Sequence, residues 1–162
     1  MATVKISYAT SGTITCTLAA LASSTTVGRS STSIDNTTNL FDDVILYLAI
    51  LSSGTAPTMD KAVYVYVYGS EDGTNFSGSS AETIGNDVPV TFANPTNLKG
   101  PVTISCPGTS QTYSTAFSVG QFFGGRLPRK WGFVTRNFTG NTIDPNETSH
   151  IKSYTGITYT VI

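Results

Sequence analysis

Apolar and polar residues alternate with a period of two along most of this chain, and Gly-, Pro-, Asn- and Asp-rich turns interrupt the pattern. The alternation is strictest in residues 62–69 (AVYVYVYG), where Val63, Val65 and Val67 fall on one face and Tyr64, Tyr66 and Tyr68 on the other. The valine face suits a core. The tyrosine row suits a second covering layer or a partner surface, with its hydroxyls reaching water. A polar turn, Glu71-Asp72-Gly73-Thr74-Asn75, follows. Residues 42–51 are almost continuously apolar, which predicts a central strand covered on both faces.

Further strands are expected at 4–8 and at 13–22, where Thr13, Thr15 and Thr17 alternate with Ile14, Cys16 and Leu18. A polar loop spans 23–39, with a short strand near 29–34. Residues 88–93 form a strand whose Pro89 places it at a strand start or a sheet edge. Strands follow at 102–106, 112–119 and 130–138, the last placing Trp131, Phe133 and Thr135 on one face. The closing strand, 151–162, gathers Thr155, Ile157, Tyr159 and Val161 on one face. Loops fill 77–87 and 139–149. Eight to ten strands with turn signals and no repeat predict an all-β fold: one antiparallel β-sandwich domain over residues 1–162, of jelly-roll type, with long loops.

Composition sharpens this picture. The 162 residues include 27 Thr and 19 Ser, and only 12% are charged, about half the usual share for a soluble domain. Hydroxyl groups therefore do most of the solvating, and much of the surface can be covered by neighbours without stranding ions. The net charge is −1 and the pI about 5.6. Arg126, Arg129 and Lys130 form the only basic cluster, so nucleic acid is not the expected partner. No apolar run reaches the roughly 20 residues of a membrane helix. Residues 14–22 faintly resemble a signal peptide's apolar region, but threonines interrupt them, so no cleaved signal is expected. Cys16 and Cys106 stand 90 positions apart and read as small buried apolar residues, reduced in the functional protein.

The search for chemistry predicts no enzyme, cofactor or metal centre. His150 is the only histidine, so any triad would depend on it, and zinc would need three or four ligands. Asp42-Asp43 and Glu71-Asp72 are adjacent carboxylates, whereas glycoside hydrolysis needs two that face each other. Asp35, Asn36, Asp42 and Asp43 could form a calcium loop in principle, but their spacing matches none. The aromatic set of the last third is more informative. Phe117, Phe122, Phe123, Trp131, Phe133 and Phe138 lie around Arg126, Arg129 and Lys130, and aromatic residues and arginine are enriched at interface cores. Phe122, Phe123, Arg126, Arg129, Lys130 and Trp131 are therefore the candidate partner-binding residues.

Four phrases carry a family resemblance: LASSTTVGRSSTSIDNTTNLFDD within 18–43, DKAVYVYVYGSEDGTNFSG (60–78), NPTNLKGP (94–101) and FSVGQFFGGRLPRKWGFVTRNFTG (117–140). The chain resembles small virion structural proteins of tailed bacteriophages. That resemblance implies a non-enzymatic protein assembled in the bacterial host cytoplasm and carried in the virion. The expected role is a capsid decoration or cement protein that binds the major capsid protein as a homo-oligomer, a trimer being favoured. A tail, neck or adaptor component is the alternative. A carbohydrate-binding module using the tyrosines and the tryptophan is a further alternative from another class.

Overall fold

The computed structural model describes residues 3–78 and 82–162. It contains β1 (Val4–Tyr8), β2 (Gly12–Thr13), β3 (Val27–Ser30), β4 (Ile34–Asp35), β5 (Asp43–Leu51), β6 (Ala62–Ser70), β7 (Pro89–Thr91), β8 (Lys99–Ser105), β9 (Thr112–Ser118), β10 (Lys130–Phe138) and β11 (Ile151–Val161). Two 3-10 turns, Gly120–Phe123 and Glu147–Ser149, complete the elements. Of the expected 77–87 loop, positions 79–81 lie outside the described residues.

The strands form two antiparallel sheets packed face to face. One runs β1-β11-β5-β9, with β2 added on β11; the other runs β7-β3-β10-β6-β8, with β4 added on β10. The chain passes between sheets at β2 to β3, β4 to β5, β5 to β6, β8 to β9, β9 to β10 and β10 to β11. This is the strand order of a jelly roll, with β7 as an extra edge strand on β3. Pro89 begins that edge strand, where its missing N–H costs nothing.

Periodicity explains the core. Val44, Leu46, Leu48 and Ile50 of β5 face Val63, Val65 and Val67 of β6 and Trp131 and Phe133 of β10, and all are fully buried. The opposite face of β6 builds a second, smaller core. There Tyr66 and Tyr68 pack with Val90, Leu98 and Val134, and Phe76, Ile84 and Phe92 close over them. The loop between β6 and β8 thus folds back and covers its own sheet. Tyr68 donates to the Ser31 carbonyl at 2.8 Å, which satisfies its hydroxyl inside that layer. Burial pushes its pKa up to about 12. Cys16 and Cys106 are free and buried in the main core. Burial raises both thiols, Cys106 to about 11, which fits inert, reduced residues.

Two expectations need correction. Residues 14–18 keep the alternation, with Ile14, Cys16 and Leu18 buried and Thr15 and Thr17 exposed, but form no sheet ladder beyond β2. Carboxylates replace the ladder. Thr17 N–H donates to Asp87 at 2.7 Å, and the Leu18 and Ala19 N–H groups donate to Glu147 at 2.8 and 2.7 Å. The segment closes one side of the sandwich by touching both halves: Ile14 N–H donates to the Lys152 carbonyl, and Thr32 N–H donates to the Thr15 carbonyl. The second correction concerns β5. Its core face is sealed, but Tyr47 on the other face is exposed, so the strand is not covered on both sides.

Candidate functional site

The side chains weighed above as candidates for chemistry are engaged within the fold. His150 is buried; its Nδ1 accepts from the Leu51 N–H at 3.3 Å, and its Nε2 lies 3.0 Å from the Asp144 carbonyl. That pattern matches the neutral tautomer with the proton on Nε2 and makes His150 a structural brace. Asp35 caps Thr37, Asp42 accepts from the Tyr159 N–H, and Asp43 accepts from the Val44 and Gly120 N–H groups and the Ser118 hydroxyl. Asn36 is engaged with the Phe41 backbone on both sides of its amide. Among the described residues no group of three or more His, Cys, Asp or Glu side chains could hold a metal ion.

Asp72 accepts from the Thr74 and Asn75 N–H groups, the Asn75 amide and the Ser70 hydroxyl; these bonds hold its carboxyl well below the usual range. At Glu147 burial opposes ionisation. Lys152 and the Ala19 and Leu18 N–H groups outweigh it and keep the carboxyl below its ordinary value. Both act as turn and strut groups.

The candidate partner-binding segment divides in two. Trp131 is 0% exposed and packs edge-on against Tyr154 at 5.5 Å between ring centres, so it is a core residue and not a contact residue. It lies in β10, where the alternation that marked it as aromatic also points it inward. Phe122 and Phe123 are half-buried on the 3-10 turn and pack against the main core, Phe122 edge-on to Phe117 at 5.9 Å. Gly124 and Gly125 then turn the chain with φ of 71° and 86°, in open space. Arg126 and Arg129 are exposed, and Lys130 is half-buried. Arg126 and Arg129 line a depression of about 350 Å³ with Leu40, Leu127, Asn36 and Glu71.

A larger feature escaped sequence reasoning because it depends on pairing. In an antiparallel ladder, directly opposed residues point the same way. Val4 opposes Val161, Ile6 opposes Tyr159, and Tyr8 opposes Ile157. β11 continues onto β5, where core-facing Val44 and Leu46 oppose Gly156 and Tyr154. Ile157, Tyr159 and Val161 therefore point outward, and Val4, Ile6 and Tyr8 with them. Five of these six are 50–68% exposed; Ile157 is buried. Tyr47 and Ile151 extend the same face, and β9 adds Ser114 and Ala116. Asp43 is the one charged residue at these outward strand positions, and its carboxylate is engaged at the strand's end. At its strand positions this outer face is apolar or hydroxyl-bearing, and its one carboxylate is engaged. The alternation of β1 and β11 was legible, but not that the two strands lie together.

Asp42 links β11 to the segment that borders the depression. Asp42 N–H donates to the Ile157 carbonyl, its carboxylate accepts from Tyr159, and its carbonyl accepts from the Leu127 N–H at 3.3 Å. Leu40, 71% exposed, stands beside it. No protein-family model, curated protein or solved structure matches the chain.

Proposed function

We propose that this chain is a non-catalytic virion structural protein of a tailed bacteriophage, a decoration or cement protein that docks on the coat lattice through the outer face of the β1-β11-β5-β9 sheet. The carrying observation is that face. Val4, Ile6, Tyr8, Tyr159 and Val161 expose half or more of their surface, and contiguous exposed apolar area of this kind marks interaction surfaces. The occupant follows from charge. The outward strand positions of this face carry no free charge, so they are complementary to an uncharged, apolar patch on a protein lattice rather than to a polyanion. Arg126 and Arg129 at its margin supply planar donors for carboxylates or carbonyls on the same partner. The sequence resemblance supports the virion setting, and the braced state of His150 and the aspartates supports a non-catalytic role. The protein is expected to act as a homotrimer, which suits the local threefold positions of a coat lattice.

The test is co-sedimentation with empty coat shells. Ile6→Asp and Tyr159→Asp change exposed positions, so the fold is expected to survive within about 0.5 kcal/mol. Wild type should pellet with shells, and each variant should bind at least about tenfold more weakly, because a carboxylate is then desolvated without a partner. Equal binding by wild type and both variants would overturn the docking face. Failure of folded wild type to pellet with shells would overturn the coat role.

A further inference from the structure

The opposite sheet carries a second feature that the docking reading does not use. Arg136 of β10 projects from the outer face of its sheet into a cage of rings. Its guanidinium carbon lies 5.6 Å from the Tyr64 ring centre, 5.4 Å from Tyr66, 4.9 Å from Phe92 and 5.5 Å from Phe138. Rings attract a cation, but they do not neutralise it. The ion pairs among the described residues are Arg29–Asp87 and Lys152–Glu147, and Arg136 is in neither. Nη1 donates to the Thr25 carbonyl at 3.1 Å and Nη2 to the Tyr66 hydroxyl at 2.9 Å. A guanidinium has five N–H donors, so each Nη keeps one hydrogen free. Nε is buried with no partner.

This half-satisfied cation borders a cavity of about 350 Å³, near the lower end of the 300–1,000 Å³ typical of small-molecule sites. The lining is mixed. Phe92 offers a ring to one wall, while Thr25, Thr26, Asn94 and Thr96 supply hydroxyls and an amide. Among these, Thr96 donates to Glu82, whereas the side chains of Thr25, Thr26 and Asn94 make no hydrogen bond within the described protein.

We propose that this cavity binds an acidic monosaccharide unit, its carboxylate on the free Nη hydrogens of Arg136, its hydroxyls on Thr26 and Asn94, and its apolar face against Phe92. Each part of the lining has a role in that pose. The guanidinium fork matches a carboxylate. Free hydroxyls and an amide match sugar hydroxyls, and the aromatic wall matches the C–H face of a pyranose. A neutral sugar would leave the cation unpaired, and an apolar ligand would strand the rim. The site lies on the sheet opposite the docking face. A protein held by one sheet would present this cavity outward, but binding requires only the isolated chain.

The experiment is a titration of the isolated protein, followed by amide NMR, with glucuronate, N-acetylneuraminate, glucose and acetate as probes. The two acidic sugars should shift the Thr25, Thr26, Asn94 and Arg136 amides saturably, more weakly at high salt. Glucose and acetate should each bind at least about tenfold more weakly. Asn94→Ala and Thr26→Ala, both at exposed positions, should weaken glucuronate several-fold without changing stability. Arg136→Lys keeps the charge but loses the fork and should weaken it at least about tenfold. Equal affinity for glucose and glucuronate, shifts away from these residues, or no saturable shift with either acidic sugar would overturn the proposal. Acetate binding as tightly as glucuronate would reduce the site to a carboxylate contact and overturn the sugar assignment. None of these outcomes touches the docking face, which uses other residues.

Discussion

At Asp87 one carboxylate ties three pieces of chain together. It accepts from the Thr17 N–H, the Thr17 hydroxyl and Arg29 Nε, each at 2.7 Å. Burial opposes its ionisation, but the Arg29 guanidinium and Thr17 outweigh that and hold its pKa down at about 2, against an ordinary 3.8. A depressed carboxylate stabilises the fold above its unfolded pKa and loses that contribution as the pH falls through the folded one. The window here is about pH 4 to pH 2, and the contribution, reduced by solvent screening at this partly exposed site, is on the order of 1 kcal/mol. Asp87 has φ of 45°, a conformation that asparagine tolerates, so Asp87→Asn isolates the charge. It should cost about 1–3 kcal/mol at pH 7. Urea unfolding at pH 7 and near pH 2 should then show a smaller acid loss in the variant than in wild type. Equal acid losses in both would contradict the assignment. No pattern in the sequence pointed to this clip, because Thr17, Arg29 and Asp87 are far apart in the chain and only folding brings them together.

β6 and the 14–18 segment show what a period of two does and does not specify. In β6 the alternation was legible in full: Val63, Val65 and Val67 are all 0% exposed in the main core. The tyrosine face was left between a second layer and a partner, and the covering loop decides for the layer, with Tyr66 and Tyr68 buried beneath it. Each Val→Ala change on the core face should cost on the order of 1–3 kcal/mol through lost burial and a residual cavity. Denaturant midpoints should fall with unchanged slopes; changes within about 0.5 kcal/mol would mean that the face is not packed as described. In residues 14–18 the same period reports burial, not a ladder. Alternation records which side chains face inward, and the backbone partners here are Asp87 and Glu147 side chains that lie far along the chain. Trp131 illustrates the converse limit. Aromatic composition drew it into the partner-binding set, while the alternation of β10 placed it on one face with Phe133, which the structure turns inward.

Across the whole molecule the two sheets treat their outer faces differently. The β3-β10-β6-β8 sheet is covered by its own loop, which leaves the Arg136 cavity at its margin. The outer face of the β1-β11-β5-β9 sheet instead exposes Val4, Ile6 and Tyr8 of β1 and Tyr159 and Val161 at the end of β11. The jelly roll itself selects no function, since the same layers serve coats and sugar-binding modules alike. The uncovered face carries the docking reading. Electron cryo-microscopy of the phage particle in which we propose this chain sits tests it most directly. The account predicts copies of the chain ordered on the coat lattice, with Ile6, Tyr8 and Tyr159 buried against neighbouring protein. Absence of the chain from the particle, or its presence with that face open to solvent, would contradict it.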